Sequence, residues 1–250
     1  MAWVESASAS FRARHDSEDE RDARRVLDSL EIARGRLEGL FPRSPDDVTI
    51  VLHRSVAALT LTNPLLPVMW LATAPAARRY VAGWAGAEEL HVLAPSILRA
   101  RASNVPGSRE MLELSAAALY TRRVIGENNR DLQRVMTAIR IRRELRWAWL
   151  LEGGARWFSG QTEHARPAIV RRLREGGRPA FPPGLRDAPL LGATVIDLLS
   201  REQGERAAAR FCTRLDSQGA RAALGKAFGG RAVSQTEIAW RSHLARLAGP

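Results

Sequence analysis

The stretch Trp149-Leu150-Leu151-Glu152-Gly153-Gly154-Ala155-Arg156-Trp157-Phe158-Ser159-Gly160 places a carboxylate within a largely apolar helical run. A carboxylate on such a helix must be paired, hydrogen-bonded or bound to a cation, because its desolvation is otherwise costly. Glu152 is therefore the first residue for which a partner has to be found.

This segment resembles the Trp-Leu-x-Glu-Gly-x-Ala-x-x-Phe/Tyr-Ser-Gly pattern of the peptidase-MA-like gluzincins, zinc metallopeptidases whose third metal ligand is that glutamate. The resemblance continues in order and spacing along most of the chain. It includes the alternating segment near Phe11, the strand Val48 to Leu52, the segment Gly83 to Leu93, and the tail segments Ala223 to Gly229 and Glu237 to Leu244. It implies an α+β fold, with a small mixed β-sheet packed on the motif helices of a thermolysin-like domain and an all-helical C-terminal part.

A gluzincin also needs His-Glu-x-x-His on an earlier helix, where the spacing puts both imidazoles on one face. The best-placed segment is Leu112-Glu113-Leu114-Ser115-Ala116, on a predicted helix over 108–125. Glu113 matches the motif glutamate, whereas Leu112 and Ala116 replace the two histidines and cannot bind metal. Zinc is the cofactor implied by the resemblance, but its ligands are missing, so we expect no metal and no other cofactor. Glu113 and Glu152 are then vestigial, and no residue is assigned a catalytic role.

If the helices pack as in gluzincins, Glu113 and Glu152 lie near one another and are partly buried. Such carboxylates need cationic partners, or one of them becomes protonated. The candidate partners are Arg109, Arg122, Arg123 and Arg156. The aromatic residues around Glu152 are predicted either to line a cleft or to fill core space, and they are Trp149, Trp157 and Phe158.

The chain has five histidines, and each is isolated in the sequence. His164 follows the glutamate segment and is the alternative ligand through which metal binding could be rescued. A hydrolase that uses Glu113 and Glu152 with a nonstandard metal therefore stays an alternative.

The composition indicates a globular protein with a substantial core, because the chain has 250 residues and is 45% hydrophobic. The start of the sequence lacks a secretory pattern, and no uninterrupted apolar run reaches the roughly 18 residues of a membrane span. The compartment stays open, with a soluble protein expected. The single cysteine, Cys212, excludes an intramolecular disulfide and is expected to be a buried apolar residue.

The net charge of +11 is due almost wholly to arginine, since Lys226 is the only lysine. This skew is typical of a high-GC bacterial genome. Arg134, Arg142 and Arg146 can share one helical face, which is the arrangement that follows a phosphate backbone. An arginine-rich module that binds nucleic acid or another acidic partner is therefore an alternative function, although nothing resembles a helix-turn-helix, an RNA-recognition motif or a zinc finger. A solvated basic face is the other interpretation.

The hydrophobic pattern predicts three or four strands followed mainly by helices. Ser6 to His15 is predicted as one strand, Leu65 to Trp84 as a loop, and Asp131 to Leu145 as a helix. The gluzincin-like part spans 1–160, with the glutamate helix over 147–159, and a helical subdomain spans 161–250. We expect the two parts to form one continuous folding unit. The sequence thus predicts a catalytically inactive pseudopeptidase with a binding or scaffold role, whose partner is an unknown protein or peptide.

Overall fold

The computed structural model describes residues 3–86, 88–132 and 137–249. The strands are β1 (Trp3–Ala7), β2 (Phe11–Asp16), β3 (Val48–His53), β4 (Gly83–Ala85) and β5 (Glu89–Leu93). The helices are α1 (Glu20–Glu38), α2 (Val56–Thr62), α3 (Leu66–Ala72), α4 (Pro75–Arg78), α5 (Pro95–Arg101), α6 (Ser108–Glu113), α7 (Ser115–Asn128), α8 (Ala138–Arg146), α9 (Ala148–Phe158), α10 (Arg166–Arg174), α11 (Ala188–Gln203), α12 (Glu205–Cys212), α13 (Ala220–Ala227) and α14 (Val233–Ala248). Within these residues the protein is α+β with a mixed sheet, as the sequence predicts.

The five strands are ordered β1-β2-β3-β5-β4. β2, β3 and β5 are parallel, and β1 and β4 add antiparallel edges. The prediction of one strand over Ser6 to His15 is wrong, because the segment forms the β1–β2 hairpin. The Glu31 carboxylate accepts hydrogen bonds from the Ser8 hydroxyl and the Ser10 amide, and these bonds hold the turn in place.

The apolar face of the sheet packs against α1 and α7. Alternation along β2 directs Phe11 and Ala13 inward and Arg12 and Arg14 outward, as a half-buried strand requires. The Phe11 ring meets the Tyr120 ring of α7 edge to face, at a centroid distance of 4.9 Å. This contact places α7 beneath the sheet, with the later helices on its far side.

The predicted helix over 108–125 is divided into α6 and α7 at Leu114. Met111 would accept the next helical hydrogen bond through its carbonyl oxygen, but the Gln161 side-chain amide donates to that oxygen. A side chain that enters the hydrogen-bond ladder in this way interrupts a helix. The predicted motif residues Glu113 and Ala116 consequently lie on different helices.

α9 packs along α11 at a close crossing of two glycines. A Cβ atom at Gly192 would lie 2.3 Å from the Trp149 carbonyl oxygen, and one at Gly153 would lie 2.4 Å from the Gly192 carbonyl carbon. Since real Cβ atoms do not approach other atoms this closely, only glycine fits both positions. The Gly153 that follows Glu152 thus has a packing role.

Two predictions for the irregular segments are corrected. The predicted loop over Leu65 to Trp84 contains α3, α4 and the start of β4. The predicted helix over Asp131 to Leu145 begins at Ala138 in the described part of the chain, and residues 133–136 lie outside that part. In the described part of the chain, no helix is long and apolar enough to cross a membrane.

Candidate functional site

Glu152 lies where α9 packs against α7, and its partner there is an arginine. Arg122 of α7 donates from Nε to Glu152 Oε1 at 3.3 Å and from Nη2 to Glu144 Oε2 at 3.1 Å. Glu144 also accepts from Arg140 Nε at 2.7 Å, one helical turn earlier on α8. We refer to Arg122, Arg140, Glu144 and Glu152 as the arginine–glutamate network.

The network balances its charges while it is partly removed from solvent. The Arg122 side chain is 15% exposed and that of Glu152 is 34% exposed. Two guanidinium groups face two carboxylates, so neither sign is left uncompensated in this region of reduced dielectric. Such pairing joins α7, α8 and α9.

A second arginine acts on Glu152 from within the protein core. Arg156 is buried, and it donates to Gln161 Oε1 at 3.0 Å and to the Tyr80 carbonyl oxygen at 3.1 Å. Burial lowers the pKa of the Arg156 guanidinium, and the Glu152 charge partly opposes this shift. Glu152 is therefore under the influence of cations on α7 and on its own helix.

Glu113 has a different partner and a different environment. Its carboxylate accepts from Arg109 Nε at 2.8 Å, and its side chain is 46% exposed. The predicted arginine pairing is confirmed for both carboxylates, through Arg109 and Arg122. Each carboxylate has its own arginine, however, and the hydrogen bonds of the described residues do not join Glu113 to Glu152.

The two predicted positions of lost histidines are part of the hydrophobic core. Leu112 is fully buried and Ala116 is nearly so. On α7 it is Arg122 that contacts Glu152, and Ala118 precedes it by four residues and so lies on the same helical face. The described hydrogen bond from α7 to Glu152 thus comes from Arg122, whose helical face also carries Ala118.

The aromatic residues near Glu152 fill space in the core and do not line a cleft. Trp149 and Phe158 are buried, and Phe158 meets Phe41 edge to face at 5.1 Å. Trp157 is partly buried and donates from Nε1 to Asp197 Oδ1 at 3.1 Å, which ties α9 to α11. Of the two roles expected for these residues, their burial favours the filling of core space, since α11 packs along α9.

The structure describes two of the three residues of the predicted basic patch. Arg142 and Arg146 are exposed on α8, and Arg134 lies outside the described residues. From Ile139 to Arg146 no residue of α8 is buried, and Ile139 and Leu145 are exposed. The basic face is accompanied by apolar side chains that do not enter the core.

Sequence reasoning missed a histidine pair. His53 Nε2 lies 3.1 Å from His91 Nδ1, and the Trp84 ring stacks on His91 at 4.6 Å. Burial lowers the pKa of His53 to about 4, with a smaller contribution from His91, and burial also lowers the pKa of His91. The available signal was that each histidine stands in a predicted strand; His53 ends β3, and His91 lies at the centre of the neighbouring parallel strand β5.

Few potential metal ligands lie close together among the described residues. No group of three or more His, Cys, Asp or Glu side chains in this part of the chain is placed to hold a metal ion. His164 lies in a turn of 3-10 helix over Gln161–His164, and no hydrogen bond between it and Glu152 is found. Cys212 is buried, which raises the pKa of its thiol.

Comparison with protein-family models, with curated proteins and with solved structures finds no match to this chain.

Proposed function

We propose that this protein is a catalytically inactive, metallopeptidase-like protein of gluzincin ancestry that acts as a binding or scaffold protein for a protein or peptide partner. The observation on which this depends is the contact between Arg122 and Glu152. Glu152 corresponds to the zinc-binding glutamate of the gluzincin pattern, and the helix opposite it supplies a guanidinium group.

A guanidinium group replaces the charge of a metal ion without its chemistry. Arginine keeps its proton at all ordinary pH values, so it neither activates water nor offers an open coordination position. Arg122, which meets Glu152, and Ala118 on the same face of α7 offer no side chain that binds zinc. The network then serves to hold three helices together, in agreement with a structural or binding role.

The ancestry can be tested by rebuilding the ligand set. The double variant Ala118→His/Arg122→His places two imidazoles four residues apart on α7, opposite Glu152. We expect it to bind one zinc ion per chain, as measured by calorimetry and by metal analysis after desalting. Adding Glu152→Gln should remove that binding, because the third ligand is lost.

The control for register is Leu112→His/Ala116→His, which has the same spacing at the positions that the sequence pattern predicts. Because Leu112 and Ala116 are buried and lie on different helices, we expect no zinc site there. A folded Ala118→His/Arg122→His variant without zinc affinity would contradict the ancestry. Stoichiometric zinc in the unaltered protein, or peptide hydrolysis that disappears in Glu152→Gln, would contradict the inactive assignment and favour the hydrolase alternative with Glu113 and Glu152.

The exposed basic face of α8 favours a second candidate function, the binding of an acidic partner or nucleic acid. Arg142 and Arg146 are exposed and stand one turn apart on α8. Binding to heparin or DNA should weaken steeply with salt and should fall in Arg142→Gln/Arg146→Gln. The matched variant Arg21→Gln/Arg25→Gln removes the same charges from an exposed face of α1, and equal losses in both variants would refute a specific role for α8.

A further inference from the structure

A long uncharged segment lies on the surface of the protein. No charged residue occurs from Val56 to Ala77, a stretch that contains α2, α3 and most of α4. From Val56 onward, the first acidic residue is Glu88. We refer to residues 56–77 as the apolar segment. Its length and composition are typical of buried chain, yet much of it is in contact with solvent.

The apolar segment is anchored on one side and open on the other. Leu59 and Leu66 are fully buried, and Trp70 donates from Nε1 to the Val81 carbonyl oxygen at 2.8 Å. The side chains of Leu61 and Leu71 are 87% and 75% exposed. Further exposed apolar side chains are Val56, Leu65, Val68 and Met69. The concentration of exposed apolar side chains in one segment marks an interaction surface rather than ordinary scatter.

Arginines surround the end of α3. Arg101 lies over the Trp70 ring at 5.6 Å and donates to the carbonyl oxygens of Arg78 and Arg79. Arg78 reaches the Thr73 carbonyl oxygen, and the Arg186 carbonyl oxygen accepts from the Ala74 amide. The basic rim, as we term it, consists of Arg78, Arg79, Arg101 and Arg186.

The basic rim lacks the counter-charges that accompany most other arginines of this protein. Within residues 3–86, 88–132 and 137–249, no ion pair to a carboxylate is found for any of its four members. Burial lowers the pKa of Arg101, and the neighbouring charge of Arg79 lowers it further. An external anion would relieve this repulsion.

The combination of an acid-free apolar surface and a basic rim selects one kind of partner. A bilayer with anionic lipids offers an apolar layer beneath a uniformly negative one, so both parts of the surface are satisfied together. A second copy of the chain, related by a two-fold axis, would bring one basic rim toward the other, which like charges oppose.

We propose that the apolar segment and the basic rim form a peripheral membrane-binding surface for anionic lipid. Leu61, Leu65 and Leu71 enter the boundary between headgroups and acyl chains, and the guanidinium groups bind lipid phosphates. The helices α2 to α4 lie on the membrane and do not cross it. This surface does not include the arginine–glutamate network, so the proposal can be tested separately from the function proposed above.

Flotation with lipid vesicles tests the proposal. The unaltered protein should float with vesicles that contain phosphatidylglycerol, and much less with pure phosphatidylcholine. Leu61→Ser/Leu71→Ser should lower the partition coefficient by about tenfold for each leucine that leaves the bilayer. Arg79→Gln/Arg186→Gln should lower binding to anionic vesicles by roughly fivefold per arginine, with little change on neutral vesicles.

Exposed isoleucines elsewhere provide the matched control. Ile32 on α1 and Ile238 on α14 are 76% and 66% exposed, so Ile32→Ser/Ile238→Ser removes comparable apolar surface outside the segment. Its binding should equal that of the unaltered protein. Absence of flotation with anionic vesicles, or equal losses in control and segment variants, would overturn the proposal. So would a dimer in solution that Leu61→Ser/Leu71→Ser dissociates, because the surface would then bind a second copy.

Discussion

The glycine crossing between α9 and α11 gives the sharpest prediction about stability, because it sets the position of the helix that bears Glu152. In Gly192→Ala the new methyl group would lie 2.3 Å from the Trp149 carbonyl oxygen and 3.1 Å from its carbon. Ordinary contacts of a methyl carbon begin near 3.4 Å, so the helices must separate by about 1 Å at this point. Both atoms belong to the backbone, and no side-chain rotation can relieve the contact.

The expected cost follows from that separation. Overpacking in a well-packed core costs about 1–3 kcal/mol, and a gap of about 1 Å forfeits up to half of the dispersion energy across the helix interface. We therefore expect Gly192→Ala to lower the free energy of unfolding by about 3 kcal/mol. In urea unfolding followed by circular dichroism, the midpoint should fall and the slope should stay constant.

Gly35→Ala is the matched substitution. Gly35 lies in the exposed part of α1, and a Cβ atom there would meet nothing within 4 Å. Because alanine has the higher helix propensity, this variant should be more stable by about 0.5–1 kcal/mol. A Gly192→Ala variant whose stability stays within about 0.5 kcal/mol of the unaltered protein would refute the close crossing of α9 and α11.

Two further predictions concern charged groups. Arg122→Met should lower the free energy of unfolding by about 2 kcal/mol, which is less than the loss of a fully buried ion pair would cost, because Glu152 is one-third exposed. In a double-mutant cycle measured by urea unfolding, Arg122→Met/Glu152→Gln should recover part of this loss, and additive effects of the two substitutions would argue against the pair. Because the pKa values of His53 and His91 are lowered in the folded protein, the unfolded chain takes up protons first as the pH falls. Their contribution to stability is therefore complete above pH 6.5 and is lost as the pH falls towards 4. Urea midpoints that drop equally with pH in His53→Gln/His91→Gln and in the unaltered protein would contradict this.

Much of the local structure follows from local patterns. The β-branched run of β3 and the amphipathic spacing of α1 are visible in the sequence, and Ser55 caps α2 with a hydrogen bond to the Ala58 amide. The all-helical C-terminal part that the sequence predicts is formed by α10 to α14. These features depend on residues within one or two turns of each other, and such interactions are encoded by neighbouring residues.

The sequence could predict that Glu152 pairs with an arginine, but not which arginine it meets. A carboxylate on an apolar helix requires a cation, and arginine is the abundant cation of this chain, so pairing could be expected for Glu152. Which arginine it meets depends on the rotation of α7 against α9. On the separate helix α6, Glu113 is partly exposed beside Arg109 whereas Leu112 is buried, and this too depends on how the helix packs.

The sequence by itself determined the α+β class, the main strands and helices, and the need of Glu152 for a cationic partner. Only the tertiary structure decided that Arg122 fills this role, that His53 meets His91, and that the uncharged segment 56–77 exposes its leucines. The reason is physical: periodicity and capping act between near neighbours in the chain, whereas these contacts depend on helix crossing angles and strand register, which result from the packing of the whole core.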